Sequence, residues 1–227
     1  MCAYVSLEGE GVSLLPLNRG AGSDSPVATI AVAWTGASGF VYGLRLVECL
    51  LQAHARVWLL YSKAAQVVAQ QELDVCLSEE PAQVRQQLLE RFNAPQELLT
   101  VFGREDWFAP PASGSHPPDA TIICPCSMGT LAKIAAGLAD DLIGRTADVA
   151  LKEGRKLILV PRETPLSAIH LENMLKLSRA GAVILPPCPG FYHRPQNVTD
   201  LVDFVVARLL DQIGIEHDLV PRWGSLS

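Results

Sequence analysis

A short apolar run at residues 29–34 has no polar alternation and ends in a glycine-rich turn, and this pairing constrains the fold more than any other feature of the chain. A strand that alternates lies half in water. One that is apolar throughout is buried on both faces and needs a layer of structure on each side. The turn reads Thr35, Gly36, Ala37, Ser38, Gly39. Its glycines let the backbone bend sharply and approach a ligand closely. A helix follows over 42–54, with Leu44, Val47, Leu50 and Leu51 at helical spacing, and amides at such a helix start can hold an anion.

The same pattern recurs downstream. Strands are expected at 56–61, 120–124 (ended by Pro125), 156–160 and 182–185. Helices are expected at 62–72, 81–92, 127–139, 145–153, from Pro165 to about 179, and 199–213, with a loop at 106–118. Ser127 is an apt helix cap. Strands alternating with helices predict an α/β protein with a Rossmann-like, doubly wound, mostly parallel sheet and helices on both faces. Ligands sit at the carboxyl ends of such strands, which selects loops 35–40, 61–63, 124–130, 160–165 and 186–194. Residues 1–26 lack periodicity and read as a mobile extension. Residues 27–227 read as one domain, a length that a single core can serve.

Charge narrows the function classes. The net charge is −6 with no block of Lys or Arg, which argues against nucleic acid. Charged residues make up 19% of the chain, a deficit expected either from subunit contacts or from a large core. No apolar run approaches the ~20 residues of a membrane span, and the start lacks the basic-then-apolar pattern of a secretory signal. The six cysteines form no C-x-x-C pair. The expectation is a reduced, cytoplasmic protein with no structural metal.

The turn's ligand can be narrowed. A dinucleotide site needs G-x-G-x-x-G and an acid after the second strand. Here the glycines fall at 36, 39 and 43, and Tyr61, Ser62 and Lys63 stand where the acid belongs. With no P-loop either, a mononucleotide such as FMN fits better than NAD or ATP. A second strand-to-helix turn, Cys124 to Thr130, is again rich in small and hydroxyl residues. Cys126 reads as a small buried residue rather than a nucleophile. A third loop carries Arg162 and Glu163 between Pro161 and Pro165, where solvated loop charges are the plain alternative. A fourth carries Phe191, Tyr192, His193 and Arg194, with His193 read as a surface loop residue.

Taken together, the segments TGASGFVYGLRL, SKAA, DWFAPPASGS, the long run from CPCSMGTLAKIA to PGFYHRPQ, and PRWG closely resemble the UbiX-like flavin prenyltransferases over about residues 27–224. Met128 departs from the pattern, since a small residue or Thr is expected there. The resemblance implies transfer of a dimethylallyl group from dimethylallyl monophosphate to N5 and C6 of reduced FMN. The product, prenylated FMN, would serve UbiD-like decarboxylases, as in ubiquinone biosynthesis. It implies FMN on Gly36, Ala37, Ser38, Ser62, Ser127, Met128, Gly129, Thr130 and Arg145. Lys152, Arg162, Tyr192 and Arg208 would hold the allyl phosphate, and Glu163 would assist proton transfer, with Ser38, Lys152 and Glu72 counted with it in the catalytic set. Glu72, Ser113, Trp107 and Trp223 would line the site, some supplied by a neighbouring subunit of a dodecamer-like homo-oligomer.

Elementary chemistry supports that residue set. Breaking an allylic C–O bond releases phosphate, and fixed cations stabilise the developing charge. One cation at 4 Å contributes on the order of 4 kcal/mol at an effective dielectric of 20, before desolvation. The faces of Trp107 and Trp223 suit an allyl cation, though packing or interface roles serve a loop Trp equally well. The Asp-rich cluster that binds magnesium in diphosphate prenyltransferases is missing, because Leu142, Ile143 and Gly144 follow Asp140 and Asp141. Metal-independent activity that survives EDTA is therefore expected. The alternatives are an FMN-dependent cysteine decarboxylase of the phosphopantothenoylcysteine type, for which no early His can be assigned, and a non-catalytic flavin carrier, which would not need Lys152, Arg162, Glu163, Tyr192 and Arg208.

Overall fold

Two hydrophobic cores lie on opposite sides of one sheet in the computed structural model, which describes residues 28–221. The expected extension at 1–26 lies outside them, as does Trp223. The strands are β1 (Thr29–Trp34), β2 (Arg56–Tyr61), β3 (Leu99–Val101), β4 (Ala120–Cys126), β5 (Lys156–Pro161) and β6 (Val183–Ile184). They run in the order β3-β2-β1-β4-β5-β6, and every pair is parallel. The helices are α1 (Phe40–Gln52), α2 (Lys63–Leu73), α3 (Pro81–Phe92), α4 (Met128–Ala135), α5 (Leu142–Lys152), α6 (Ala168–Arg179) and α7 (Val198–Ile213).

β1 shows why an unbroken apolar strand forces this architecture. Its side chains alternate between faces, so Ile30, Val32 and Trp34 enter the core under α1, α2, α3 and α7. Ala31 and Ala33 enter the opposite core with α4, α5 and α6. Trp34 is fully buried and meets Phe40 edge-on, 4.7 Å between centroids. Gly43 lets α1 sit that close, because a Cβ there would stand 2.2 Å from the Cys124 carbonyl and 2.7 Å from the Trp34 ring. Arg45 ties α1 to α7 through Asp203 at 2.8 Å.

Several boundaries differ from the sequence expectation. β4 does not stop at Pro125; it resumes at Cys126 beside Pro161 after a register irregularity. Proline has no N–H to give the ladder, and its carbonyl is met instead by the Thr35 hydroxyl at 2.8 Å. α4 ends at Ala135 rather than near 139, because the chain turns at Gly137 with φ +72. α5 begins at Leu142 rather than 145, with the Asp141 carboxylate accepting the Gly144 amide at 2.8 Å as its cap. β3 is an additional strand. The connection at 102–119 then leads to β4 on the α5 side, where Ala109 is buried. The strand order reverses between β1 and β4, which opens a crevice at their carboxyl ends.

Candidate functional site

The two glycine- and hydroxyl-rich turns meet in that crevice. Thr35, buried, donates its hydroxyl to the Pro125 carbonyl and accepts the Ser127 amide, each at 2.8 Å. One side chain thus clamps the end of β1 to the end of β4. The Ser127 hydroxyl accepts the Thr130 amide at 3.2 Å and lies 2.9 Å from the Thr130 hydroxyl. Ser62 caps α2 by accepting the Ala65 amide at 3.1 Å. These turns border a cavity of about 320 Å³ lined by Gly36, Ser62, Ser127, Gly129 and Thr130, with Lys63, Arg104 and Lys133 among its other walls. Gly36 brings the backbone against α2, since a Cβ there would stand 2.4 Å from that of Ala64. Hydroxyls, a backbone without side chains and three cations form a donor set that fits the phosphate end of FMN.

The amides that open α1 are not available to a phosphate. Glu72, at the end of α2, accepts the Gly39 amide at 3.0 Å and the Phe40 amide at 2.8 Å. A protein carboxylate therefore fills the anion position expected there, which moves the phosphate-suited wall towards Ser62 and Ser127–Thr130. Arg162, half-buried, reaches back across the sheet and donates its Nε to the Ser38 carbonyl at 3.2 Å. The Arg162–Glu163 loop thus stands over the Gly36–Ser38 turn. Glu163 is exposed, and its carboxylate accepts the Thr164 amide. Met128 is buried in the same core as Leu131 and Ile134 and does not itself border the cavity.

The remaining residues form two further groups. Arg145 donates to the Ala112 carbonyl at 2.9 Å and pairs with Asp148. Lys152 pairs with Glu153 and lies against Gly114, beside Ser113. Lys152 ends α5, eight residues beyond Gly144 on the cavity wall, which is about 12 Å along the axis. Trp107 is exposed in the same connecting loop. Tyr192 packs edge-on to Phe204 of α7, one turn before Arg208, which pairs with Asp211. His193 is not a free surface residue; it stacks on Phe204 at 5.4 Å. The structure therefore joins Gly36, Ala37, Ser38, Ser62, Ser127, Gly129, Thr130, Glu72, Arg162 and Glu163 at one crevice. Ser113, Arg145 and Lys152 gather around the start of the 112–114 loop and α5, and Tyr192 packs on Phe204, one turn from Arg208; none of these borders the cavity itself.

Cys126 is fully buried, and burial pushes its thiol up to about 12. A thiol so reluctant to ionise is a poor nucleophile. Among the described residues no three His, Cys, Asp or Glu side chains gather as a metal site, and no helix is long and apolar enough to cross a membrane. Sequence reasoning did not single out Thr35, Lys63, Arg104 and Lys133 as separate contributors. The signal for Arg104 was β3 itself, since the loop after any parallel strand opens on the carboxyl side.

Comparison with known proteins agrees with this architecture. A family model described as Flavoprotein matches residues 20–210. A flavin prenyltransferase UbiX from Pseudomonas aeruginosa is 59% identical over 86% of this chain and 93% of its own length. The crystal structure of AnUbiX in complex with FMN and dimethylallyl pyrophosphate is 42% identical, with a TM-score of 0.79 over 89% of this chain and 100% of that one. A dodecameric FMN-dependent UbiX-like decarboxylase from Escherichia coli O157:H7 is 43% identical, with a TM-score of 0.77 over 87% of this chain and 100% of that one. The chain is a flavoprotein by class and belongs to the UbiX-like flavin prenyltransferase family.

Proposed function

We propose that this chain is a transferase that joins a dimethylallyl group from dimethylallyl monophosphate to N5 and C6 of reduced FMN. The prenylated FMN would pass to a UbiD-like decarboxylase in the cytoplasm. The observation that carries the reading is the Arg162–Ser38 contact at 3.2 Å, which sets a cation and the neighbouring Glu163 over the turn suited to the flavin. Reduced FMN, when bound, supplies electron-rich N5 and C6 positions. Gly36, Ser62, Ser127 and Thr130 would hold its phosphate end, with Ala37 and Ser38 in the adjoining turn. Arg162 would balance charge on the phosphate oxygens as the allylic C–O bond breaks and the N5–C bond forms with loss of the N5 proton. Glu163, or the departing phosphate, would deliver a proton to the remaining double bond of the transferred group so that C6 can attack it, and would accept the proton then displaced from C6.

Lys152, Arg145, Ser113, Trp107, Tyr192 and Arg208 complete the sites of adjoining copies in a dodecamer-like assembly. The exposed apolar side chains Leu166, Ile169, Leu171, Leu175 and Phe191 support an assembly that covers them. The cysteine-decarboxylase and carrier alternatives are not favoured, because high-identity relatives such as the P. aeruginosa protein are prenyltransferases. The test is phosphate release from dimethylallyl monophosphate under anaerobic conditions. Release that requires reduced FMN, and stops with oxidised FMN, supports the transferase. Release without any flavin contradicts it.

A further inference from the structure

We infer that Arg104 selects a phosphorylated flavin over riboflavin; this rests on the FMN reading above and assigns the selection to a residue outside the two glycine-rich turns. The cavity beside those turns has three cations, Lys63, Arg104 and Lys133, and they are not equivalent. Lys133 is committed to both oxygens of Asp140 at 2.9 and 2.8 Å, in an exposed pair. Lys63 opens α2 and is exposed. The Nε of Arg104 is buried and has no hydrogen-bond partner.

The Arg104 backbone is held where α5 begins, because its carbonyl accepts the Leu142 amide at 2.8 Å. Asp141, the acid on the cavity wall, spends a carboxylate oxygen on the Gly144 amide at 2.8 Å, and Asp140, which feels the Arg104 charge, gives both its oxygens to Lys133. Arg104 also borders an adjoining cavity of about 380 Å³ with Glu79 and Glu105, yet its Nε remains unbonded. A guanidinium stays charged at any working pH, and leaving a buried N–H unpaired is costly. A phosphate monoester offers acceptors in the planar geometry that an Arg fork matches. Facing the Ser62, Ser127 and Thr130 hydroxyls, Arg104 supplies the charged wall of that pocket. A flavin ending in a ribityl hydroxyl leaves the guanidinium unsatisfied, which is how the residue discriminates.

The test titrates wild type, Arg104→Met and Arg104→Lys with FMN and with riboflavin, following flavin fluorescence. FMN affinity of Arg104→Met should fall about tenfold to a hundredfold, with riboflavin affinity unchanged. Arg104→Lys should recover part of the loss, since it returns the charge without the fork. FMN affinity unchanged in both variants would overturn the assignment while leaving the FMN reading intact. Parallel losses for FMN and riboflavin would also overturn it, because a merely structural residue affects both flavins alike. Failure of the wild type to bind FMN at all would overturn the FMN reading, and the assignment with it.

Discussion

The amide of Ser127 donates to the hydroxyl of Thr35 at 2.8 Å across 92 residues of chain. The same hydroxyl donates to the Pro125 carbonyl, so two turns from different strands are held in one register. Thr35→Val keeps the shape and removes both bonds, taking the acceptor from the Ser127 amide and leaving the Pro125 carbonyl only the longer bond from the Thr35 amide at 3.3 Å. Each such loss costs about 1–3 kcal/mol. FMN affinity should fall at least about tenfold, and Thr35→Ser should restore it. A Val variant that binds FMN normally, or a Ser variant as impaired as Val, would show that the clamp does not position the site.

Glu72 caps α1 by accepting the Gly39 and Phe40 amides. Removing a cap of this kind costs about 1 kcal/mol. Glu72→Ala should lower the thermal midpoint by a few degrees, and Glu72→Gln, which keeps one acceptor, should lower it less. Differential scanning fluorimetry decides between them, and equal midpoints for wild type and Ala would exclude the capping role.

Glu163 lies at the rim and contacts no described partner essential to the turn; its carboxylate accepts the adjacent Thr164 amide. Glu163→Gln should therefore bind FMN as wild type does while prenylation slows by about a hundredfold, the range of general acid–base contributions. An unchanged turnover rate would remove Glu163 from the proton pathway.

The cysteines offer a check on the packing. Cys49, Cys124 and Cys126 are buried, and burial raises all three thiols, Cys126 to about 12. Because the thiolate is the reactive form, iodoacetamide at pH 8 should label Cys76 and Cys188 in the folded protein and spare those three. Peptide mass mapping before and after denaturant reads this directly. Early labelling of Cys126 would mean that the end of β4 is open to solvent.

Much of this architecture was legible in residues that act locally. The apolar run ending at Trp34 needed cover on both faces, and the structure supplies it. The turns at Gly36 and Ser127 were legible because glycines and hydroxyls act through their own backbone. β3 was not, because three residues are too few to show a period. Overlooking it hid the loop that carries Arg104. The Glu72 cap and the Thr35 clamp join residues 32 and 92 positions apart, and no local pattern announces such contacts. Lys152 and Arg208 rest on resemblance, because their partners Glu153 and Asp211 lie one and three residues away and mark no site.

The central claim is tested most directly by the mass of the flavin after reaction. The protein is incubated anaerobically with reduced FMN and dimethylallyl monophosphate, and the flavin is extracted and weighed by mass spectrometry. A flavin heavier by one C5H8 unit, formed only when both substrates and protein are present, is the predicted result. Recovery of FMN at its original mass, with the allyl phosphate untouched, would contradict it.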